Sequence, residues 1–312
     1  MKLRISPGLI TGTALIASIT AGFFFPQGSG LKPWMPFVLG IMLFFNFLSL
    51  TYERRRFVRA ELLVFPLLAW GILPPLVLLI ARIFFPPEIA SGFFLAVITP
   101  PAISAVVMAS LMGGERELPI VNSVVFNLLS PIAYTVLAGL YLSALSVHVP
   151  VRAIITEVGL VVLVPFVFSL IIRRIPPVCR TLTRVSTFYN PFSMMVVVYT
   201  SAALAAPRIK TLSVPMVLAI LSGVFIIACI FYSAGLFLGN GPTHRRSFAV
   251  AVGKKNVGLG MMVAVNNFSP LTAVPVMLYL VSHHLINGIL LISGSRRAHT
   301  GTPGTQKTRR NK

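Results

Sequence analysis

The chain has few acidic residues and few cysteines. Its 312 residues include six glutamates, no aspartate and two cysteines, against 26 lysines and arginines, for a formal net charge of +20. An enzyme that works through paired carboxylates, or through a metal held by them, is hard to build from so few acids. Cys179 lies in a basic segment and Cys229 in an apolar block, so neither a disulfide framework nor a zinc site is indicated. We therefore expect no enzymatic activity, no cofactor and no metal.

Charge of either sign is also scarce. Charged residues make up 10% of the chain and hydrophobic residues 56%, which is not the composition of a soluble domain. The cations lie in short segments between apolar blocks and in the C-terminal tail. This distribution follows the positive-inside rule of membrane proteins, so the expected partner of the basic residues is a lipid bilayer and not nucleic acid.

Ten apolar blocks follow one another along the chain. Each is close to the ~20 residues that a helix needs to cross ~30 Å of hydrocarbon. They predict an all-α, polytopic membrane protein with ten transmembrane helices, followed by a disordered basic tail over 295–312. The blocks are 7–25, 34–50, 62–85, 89–112, 118–145, 151–172, 188–206, 212–238, 248–265 and 271–292.

The lysines and arginines are divided unequally between the two sides of this arrangement. With alternating spans, 19 of the 26 fall on the side of the N-terminus and the tail, and five on the other side. The remaining two, Lys254 and Lys255, lie within the ninth block. The excess predicts a multi-pass protein of the cell (inner) membrane with both termini in the cytoplasm.

Lys254 and Lys255 mark an interruption of the ninth block. A charge at bilayer depth costs roughly 2.5–3.5 kcal/mol, so neither lysine is expected to face lipid. Gly253, Gly258 and Gly260 flank them, and glycine weakens a helix by roughly 1 kcal/mol relative to alanine. The block is predicted to be a helix that is broken at mid-depth, where membrane transporters place their binding sites.

Pro100 and Pro101 interrupt the fourth block, because two prolines remove two helix hydrogen-bond donors. A simple proline kink is the alternative. Each interruption falls in the fourth of five spans, and an odd number of spans inverts the second half relative to the first. The sequence therefore predicts two inverted five-helix repeats, over 1–145 and 146–294, with a midplane site at broken helices 4 and 9.

The two interruptions resemble motifs of the bile acid:sodium symporter family. Residues 99–106, Thr-Pro-Pro-Ala-Ile-Ser-Ala-Val, with Leu-Met-Gly-Gly-Glu at 111–115, resemble its T-P-G-G-T-A-S-N and L-A-K-G-D segments. Residues 251–259, Ala-Val-Gly-Lys-Lys-Asn-Val-Gly-Leu, resemble its E-x-G-x-Q-N-x-G-L, and His283 falls on a family histidine. The resemblance implies a core of spans 3–5 and 8–10 packed against a panel of spans 1, 2, 6 and 7. It also implies that broken helices 4 and 9 cross, with substrate bound beside the crossing.

Several sodium ligands of that family are replaced here. The Ser-Asn pair of span four becomes Ala105 and Val106, with Ser104 one place away. The Glu of span nine becomes Ala251, and the Gln becomes Lys255. An ammonium donates hydrogen bonds but accepts none, so it cannot coordinate a cation. We therefore expect that this chain does not use sodium at the family's sites.

Two family positions are kept, Ser123 and Asn256, which is too few to hold sodium. Our hypothesis is that the ammonium of Lys255, together with Lys254, occupies the space and supplies the charge of the missing ion. Because burial disfavours the charged form of a lysine, such a group can also exchange protons, which predicts a proton-coupled or facilitated carrier. The alternative is structural: both lysines cap the broken helix ends.

The expected substrate is a small organic anion, because five of the six acids lie in loops or at span ends and leave the cationic centre without a partner. Glu157, a third of the way into span six, is the exception. Ser123 and Asn127 are expected to line the site on one face of span five, although interhelical hydrogen bonding is an equal reading. His283 is a candidate proton relay, with a merely hydrogen-bonded histidine as its alternative.

Other functions remain open at this point. A sodium-coupled organic anion symporter of the same family is the first alternative. An arsenite carrier would need a cysteine in span four, where Ala102 and Ile103 stand. An auxin-efflux-like carrier shares the crossed-helix plan. A non-transporting membrane sensor or scaffold is the alternative of another class, since a repurposed transporter would also lose its ion ligands.

Overall fold

The computed structural model describes residues 7–50, 60–145 and 147–300, and nearly all of them are helical. No strand occurs in these ranges, only one isolated β-bridge, so the all-α prediction is confirmed. Short 3₁₀ segments join some of the helices. The helices are α1 Pro7–Phe24, α2 Met35–Leu48, α3 Val64–Phe84, α4 Pro87–Ile98, α5 Ala105–Leu111, α6 Glu117–Tyr141, α7 Val151–Ile172, α8 Pro176–Ile209, α9 Val214–Leu238, α10 Gly241–Gly253, α11 Val257–Asn267 and α12 Ala273–Thr300.

Within the described residues, seven helical segments are long and apolar enough to cross a membrane, which makes this a multi-pass membrane protein. They correspond to α2 with the 3₁₀ turn before it, α3, α6, α7, α8, α9 and the apolar part of α12. Helices α4 and α11 and the apolar part of α1 are shorter. The ten-span count is therefore still a prediction at this stage.

Two boundaries differ from the sequence-based expectation. Helix α8 begins at Pro176, so the basic segment between the sixth and seventh apolar blocks, expected to be a loop, is mostly helix. Pro176 and Pro177 account for this early start, because proline fits the first turn of a helix, where the missing N–H has no intrahelical partner. Helix α12 continues past Ser295 to Thr300, within the segment expected to be a disordered tail. The N-terminal residues 1–6, the basic segment 51–59 and the tail 301–312 lie outside the described residues.

The helices pack in two groups. Helix α1 lies along α8, and α2 packs against both α7 and α8. In the second group α9 packs against α10 and α12, α4 against α3 and α12, and α5 against α10. Contacts of α7 with α6 and of α11 with α7 and α8 join the groups. We call α1, α2, α7 and α8 the panel and the remaining helices the core, following the division that the resemblance implies.

Both expected interruptions are present in the core. Helix α4 ends at Ile98 and α5 begins at Ala105, with Pro100 and Pro101 in the extended stretch between them. Helix α10 ends at Gly253 and α11 begins at Val257. Because these gaps change the backbone direction within apolar, buried surroundings, they break the helices and do not merely kink them.

Gly235 marks a close contact between α9 and α10. A Cβ atom added there would lie 2.3 Å from the backbone N of Ala249, and backbone cannot move aside. We expect Gly235→Ala to lower the free energy of unfolding by about 1–3 kcal/mol, the usual cost of overpacking. Gly159→Ala in α7 is the matched control, since nothing lies within 4 Å of its added Cβ. It should be neutral or stabilising, and equal melting temperatures of the two variants in detergent would contradict the prediction.

Candidate functional site

The two interruptions cross and pair with each other. Pro101 and Lys255 form an antiparallel bridge. The backbone N–H of Ala102 donates to the carbonyl of Lys254, and that of Asn256 donates to the carbonyl of Pro100, both at 2.7 Å. Unwound backbone at bilayer depth needs such partners, because a buried, unpaired peptide group is costly. Each broken segment thus supplies hydrogen-bond partners for backbone groups of the other segment.

Helix α6 supplies side chains that complete this pairing. The Nδ2 of Asn127 donates to the carbonyl of Pro101 at 2.7 Å, and its Oδ1 accepts from Nδ2 of Asn256, also at 2.7 Å. The hydroxyl of Ser123 donates to the carbonyl of Ala102 at 2.9 Å. Both Ser123 and Asn127 are fully buried. The polar face expected on this helix therefore holds the crossing together through hydrogen bonds.

The carbonyl ends of the two broken helices are also capped. At the end of α10, Asn122 donates to the carbonyl of Ala251 at 2.6 Å. The Tyr279 hydroxyl donates to the Gly253 carbonyl at 2.8 Å. At the end of α4, the indole N–H of Trp70 donates to the Ile98 carbonyl at 2.9 Å. The last carbonyls of a helix have no intrahelical donors, so these side chains replace the missing turns.

Lys255 takes part in this capping. Its Nζ donates to the carbonyl of Val97 at 3.1 Å, in the last turn of α4. The ammonium lies 3.6 Å from the ring centroid of Phe231 and 4.3 Å from that of Phe65, within cation–π distance of both. A cation at a helix C-terminus is also favoured by the helix dipole. The contacts of the Lys255 side chain are therefore those of a helix cap enclosed by aromatic rings.

Lys254 has a different environment. It lines a cavity of about 220 Å³ between the crossing and the panel, and 7% of its surface is exposed, against 1% for Lys255. No acidic side chain is among the described residues that line this cavity. The lining residues are Leu15, Met42, Leu43, Asn46, Ala102, Ile103, Ser104, Asn190, Pro191, Met194, Lys254, Lys255, Asn256, Val257, Gly258, Leu280, His283 and His284.

His283 and Ser104 border the same cavity. His283 is 2% exposed, stacks on His284 at a centroid distance of 4.5 Å and meets the Tyr279 ring edge-on. Neither of its ring nitrogens has a hydrogen-bond partner among the described residues. Ser104, just before α5, is exposed to the cavity. All nine candidate residues from the sequence thus lie at the crossing or on the cavity wall. They are Pro100, Pro101, Ser104, Ser123, Asn127, Lys254, Lys255, Asn256 and His283.

Two further polar residues on the panel face the cavity and are not among those predicted from the sequence. Asn190 of α8 donates through Nδ2 to Oδ1 of Asn46 in α2 at 2.9 Å. Both line the cavity opposite the crossing. Each is an asparagine within an apolar block, and a polar residue inside a membrane span is a signal of function or of interhelical hydrogen bonding. That signal was available in the sequence.

Two of the positions at which the resemblance implies sodium ligands are apolar and buried. Ala105 and Ala251 are fully buried, and the Ala251 carbonyl is occupied by Asn122. Among the described residues no cluster of three or more His, Cys, Asp or Glu side chains could hold a metal ion. Glu157 does not neutralise the lysines, because its carboxylate accepts hydrogen bonds from the side chains of Asn266 and Asn267.

Comparison with known proteins agrees with this geometry. Residues 13–295 match the SBF-like CPA transporter family. "Uncharacterized protein YbaS" of Bacillus subtilis (strain 168) is 24% identical over 302 residues, covering 89% of this chain and 93% of its own length. "Uncharacterized sodium-dependent transporter YocS" of the same organism is 25% identical over 336 residues, covering 98% and 97%. The resemblance to bile acid:sodium symporters is confirmed, and the chain belongs to the SBF-like CPA transporter family of membrane transporters.

Proposed function

We propose that the protein is a secondary transporter that carries a small organic anion by alternating access, with the anion bound in the cavity beside the crossing. One observation carries this proposal: the Lys254 side chain lies on the wall of a cavity that no described acidic side chain lines. Among the described residues it makes no hydrogen bond or ion pair. A cation held in a largely apolar wall without a counter-ion favours an anionic ligand.

The first turn of α11 adds to this preference. Val257 and Gly258 line the cavity, and the first amide groups of a helix have no acceptor within the helix. Together with the helix dipole they favour negative charge at this end. A volume of about 220 Å³ corresponds to about seven water molecules at ~30 Å³ each, which suits a small substrate. Asn46, Asn190 and His283 offer it hydrogen bonds.

The proposal includes the ten-span topology. Helices α4 and α5 would form one interrupted span and α10 and α11 another, each fourth in a half of five spans, over 1–145 and 146–294. The antiparallel pairing at the crossing supports this arrangement, because inverted repeats bring the two broken spans together in opposite directions. The excess of cations on one side supports cytoplasmic termini and a location in the cell (inner) membrane.

We propose further that transport is independent of sodium and either proton-coupled or facilitated. The apolar side chains of Ala105 and Ala251 and the ammonium of Lys255 at family ligand positions support this. Lys255 would contribute the positive charge that sodium supplies elsewhere in the family, while Lys254 would meet the substrate. A sodium-coupled symporter is the second candidate, favoured by the name of the relative YocS, an uncharacterized sodium-dependent transporter.

Flux measurements in proteoliposomes test both candidates. We expect counterflow of at least one labelled aliphatic carboxylate of two to six carbons, and no counterflow of the matching amines. Replacing sodium by potassium at constant ionic strength should change the rate by less than about twofold, since a ligand that does not bind cannot shift the transport equilibrium. The sodium-coupled alternative predicts loss of flux in potassium.

Thermal melting in detergent gives an independent measurement. A bound carboxylate at 100 times its Kd should stabilise the folded state by ~2.7 kcal/mol, whereas sodium should give no shift relative to potassium. A sodium-specific shift would contradict the proposed independence. Absence of both flux and stabilisation for every carboxylate would favour a non-transporting sensor or scaffold.

A further inference from the structure

Glu157 forms a contact between the panel and the core that the proposed anion site does not use. It lies in α7, two turns after the helix begins at Val151. One carboxylate oxygen accepts a hydrogen bond from Nδ2 of Asn267 at 2.7 Å, and the other accepts from Nδ2 of Asn266. Both asparagines end α11, the second half of the broken core helix. Two amide donors on the core therefore hold one carboxylate on the panel.

This contact lies at the end of the protein opposite to the cavity. The far end of α7 is fixed by Arg173, whose guanidinium donates to the carbonyl of Phe47 in α2. Asn46, the neighbour of Phe47, lines the cavity. At ~1.5 Å per residue, Glu157 is about 24 Å from Arg173 along the axis of α7. The panel and core are thus separated by a cavity near one end and joined by Glu157 near the other.

We propose that Glu157 is the proton-binding site of the carrier and that its protonation releases the panel from the core at this end. This inference rests on the proposed alternating-access function and assigns the coupling proton to a residue away from the lysines. An ionised carboxylate accepts from both amide groups. The proton taken from solution turns one oxygen into a hydroxyl donor, which faces an amide donor, and the contact weakens. Return of the proton to solution restores it.

Other charged groups do not compensate for Glu157. The helices packed against α7 are α2, α6, α8 and α11. Helices α2 and α11 carry no titratable side chain. At the end of the protein where Glu157 lies, α6 carries Tyr141 and α8 carries Arg208. The chain around the start of α7 carries His148 and Arg152. Within the described residues none of these four forms an ion pair or hydrogen bond with Glu157. Within the described residues the two amide groups are therefore the hydrogen-bond donors that the carboxylate has, and protonation weakens both hydrogen bonds.

Cysteine labelling in lipid nanodiscs tests this inference without a substrate. The full chain, with Cys179 and Cys229 replaced by serine, carries one reporter at a time. Val161→Cys places a thiol one turn deeper than Glu157 at a position that is 6% exposed, and Met194→Cys places one on the cavity wall. Because only the thiolate reacts with maleimide, each labelling rate is divided by that of an exposed reporter, Lys210→Cys, at the same pH. Lowering the pH from 8 to 4.5 should raise this ratio at Val161→Cys by about two- to tenfold and lower it at Met194→Cys. Unfolding would raise both rates.

Two glutamine variants complete the experiment. Glu157→Gln keeps the size of the side chain and cannot titrate, so the labelling ratio at Val161→Cys should be high at both pH values. Glu88→Gln is the matched control, because Glu88 is exposed and lies beside His148 at the same end. It should keep the wild-type response to pH. A wild-type reporter that ignores pH, or a Glu157→Gln variant that responds like the wild type, would overturn the inference.

The labelling experiment can fail while the proposed transport function holds, and the reverse is also possible. Anion flux with a reporter that ignores pH refutes the role of Glu157 and leaves the transporter proposal in place. A reporter that switches with pH in a protein that moves no carboxylate refutes the transporter proposal and leaves the proton-controlled contact.

Discussion

Replacing Lys254 by glutamine should abolish most carboxylate flux and leave the protein folded. Among the described residues the Lys254 ammonium makes no hydrogen bond or ion pair on the cavity wall, so its loss removes the charge that meets the anion. Hydrogen bonds to charged groups contribute about 1.5–3 kcal/mol, which corresponds to a loss of about 10- to 150-fold. The measurement is counterflow of the carboxylate that the wild type transports fastest.

Three comparisons make this result specific. Lys254→Arg keeps the charge and should lose less flux than Lys254→Gln. Lys210→Gln removes an exposed lysine outside the site and should retain wild-type flux. If Lys254 were a structural cap instead, Lys254→Gln would lower the melting temperature, and the flux per folded molecule would be unchanged.

The second large effect is expected for stability, at Asn127. Asn127→Leu keeps the approximate volume and removes the donor to the Pro101 carbonyl and the acceptor for Asn256. A buried polar group left unpaired costs about 1–3 kcal/mol, so two of them should lower the free energy of unfolding by ~2–6 kcal/mol. Detergent denaturation in mixed micelles measures this difference.

Asn240→Leu is the control for this substitution, because Asn240 is exposed at the start of α10 and its side chain makes no capping hydrogen bond. It should change stability by less than about 0.5 kcal/mol. Equal stability of the Asn127→Leu variant and the wild type would mean that the backbone pairing holds the crossing without α6.

Much of the crossing was predictable because its signals are local. Two prolines, or two lysines among glycines, disfavour a continuous membrane helix through local effects, and both breaks are present in the structure. The role of each side chain in the site depends on the direction in which it points, and the spacing of residues in the sequence does not give that direction. Adjacent residues in an extended segment point to opposite sides, so Lys254 faces the cavity while Lys255 turns toward Val97 and the aromatic rings.

The contacts of Glu157 could not be predicted from the sequence, for a different reason. Its partners Asn266 and Asn267 are about 110 residues away, and nothing in the sequence pairs α7 with the end of α11. The early start of α8 is not evident from the sequence, because arginines between two apolar blocks are typical of a loop. Arginine is nevertheless a good helix former, and its long side chain can reach water from a helix that leaves the membrane.

The capping of α4 by Lys255 constrains how the protein is made. The Val97 carbonyl emerges from the ribosome 158 residues before its lysine partner. At ~5–20 residues per second, that interval is about 8–30 s. During this time the Val97 carbonyl lacks its lysine donor, whereas Trp70 and Asn127, which belong to the N-terminal half, can already cap the carbonyls of Ile98 and Pro101. Biogenesis of the N-terminal half therefore depends on arrival of the C-terminal half, and a chain truncated before Lys254 should be a substrate for membrane quality-control proteases.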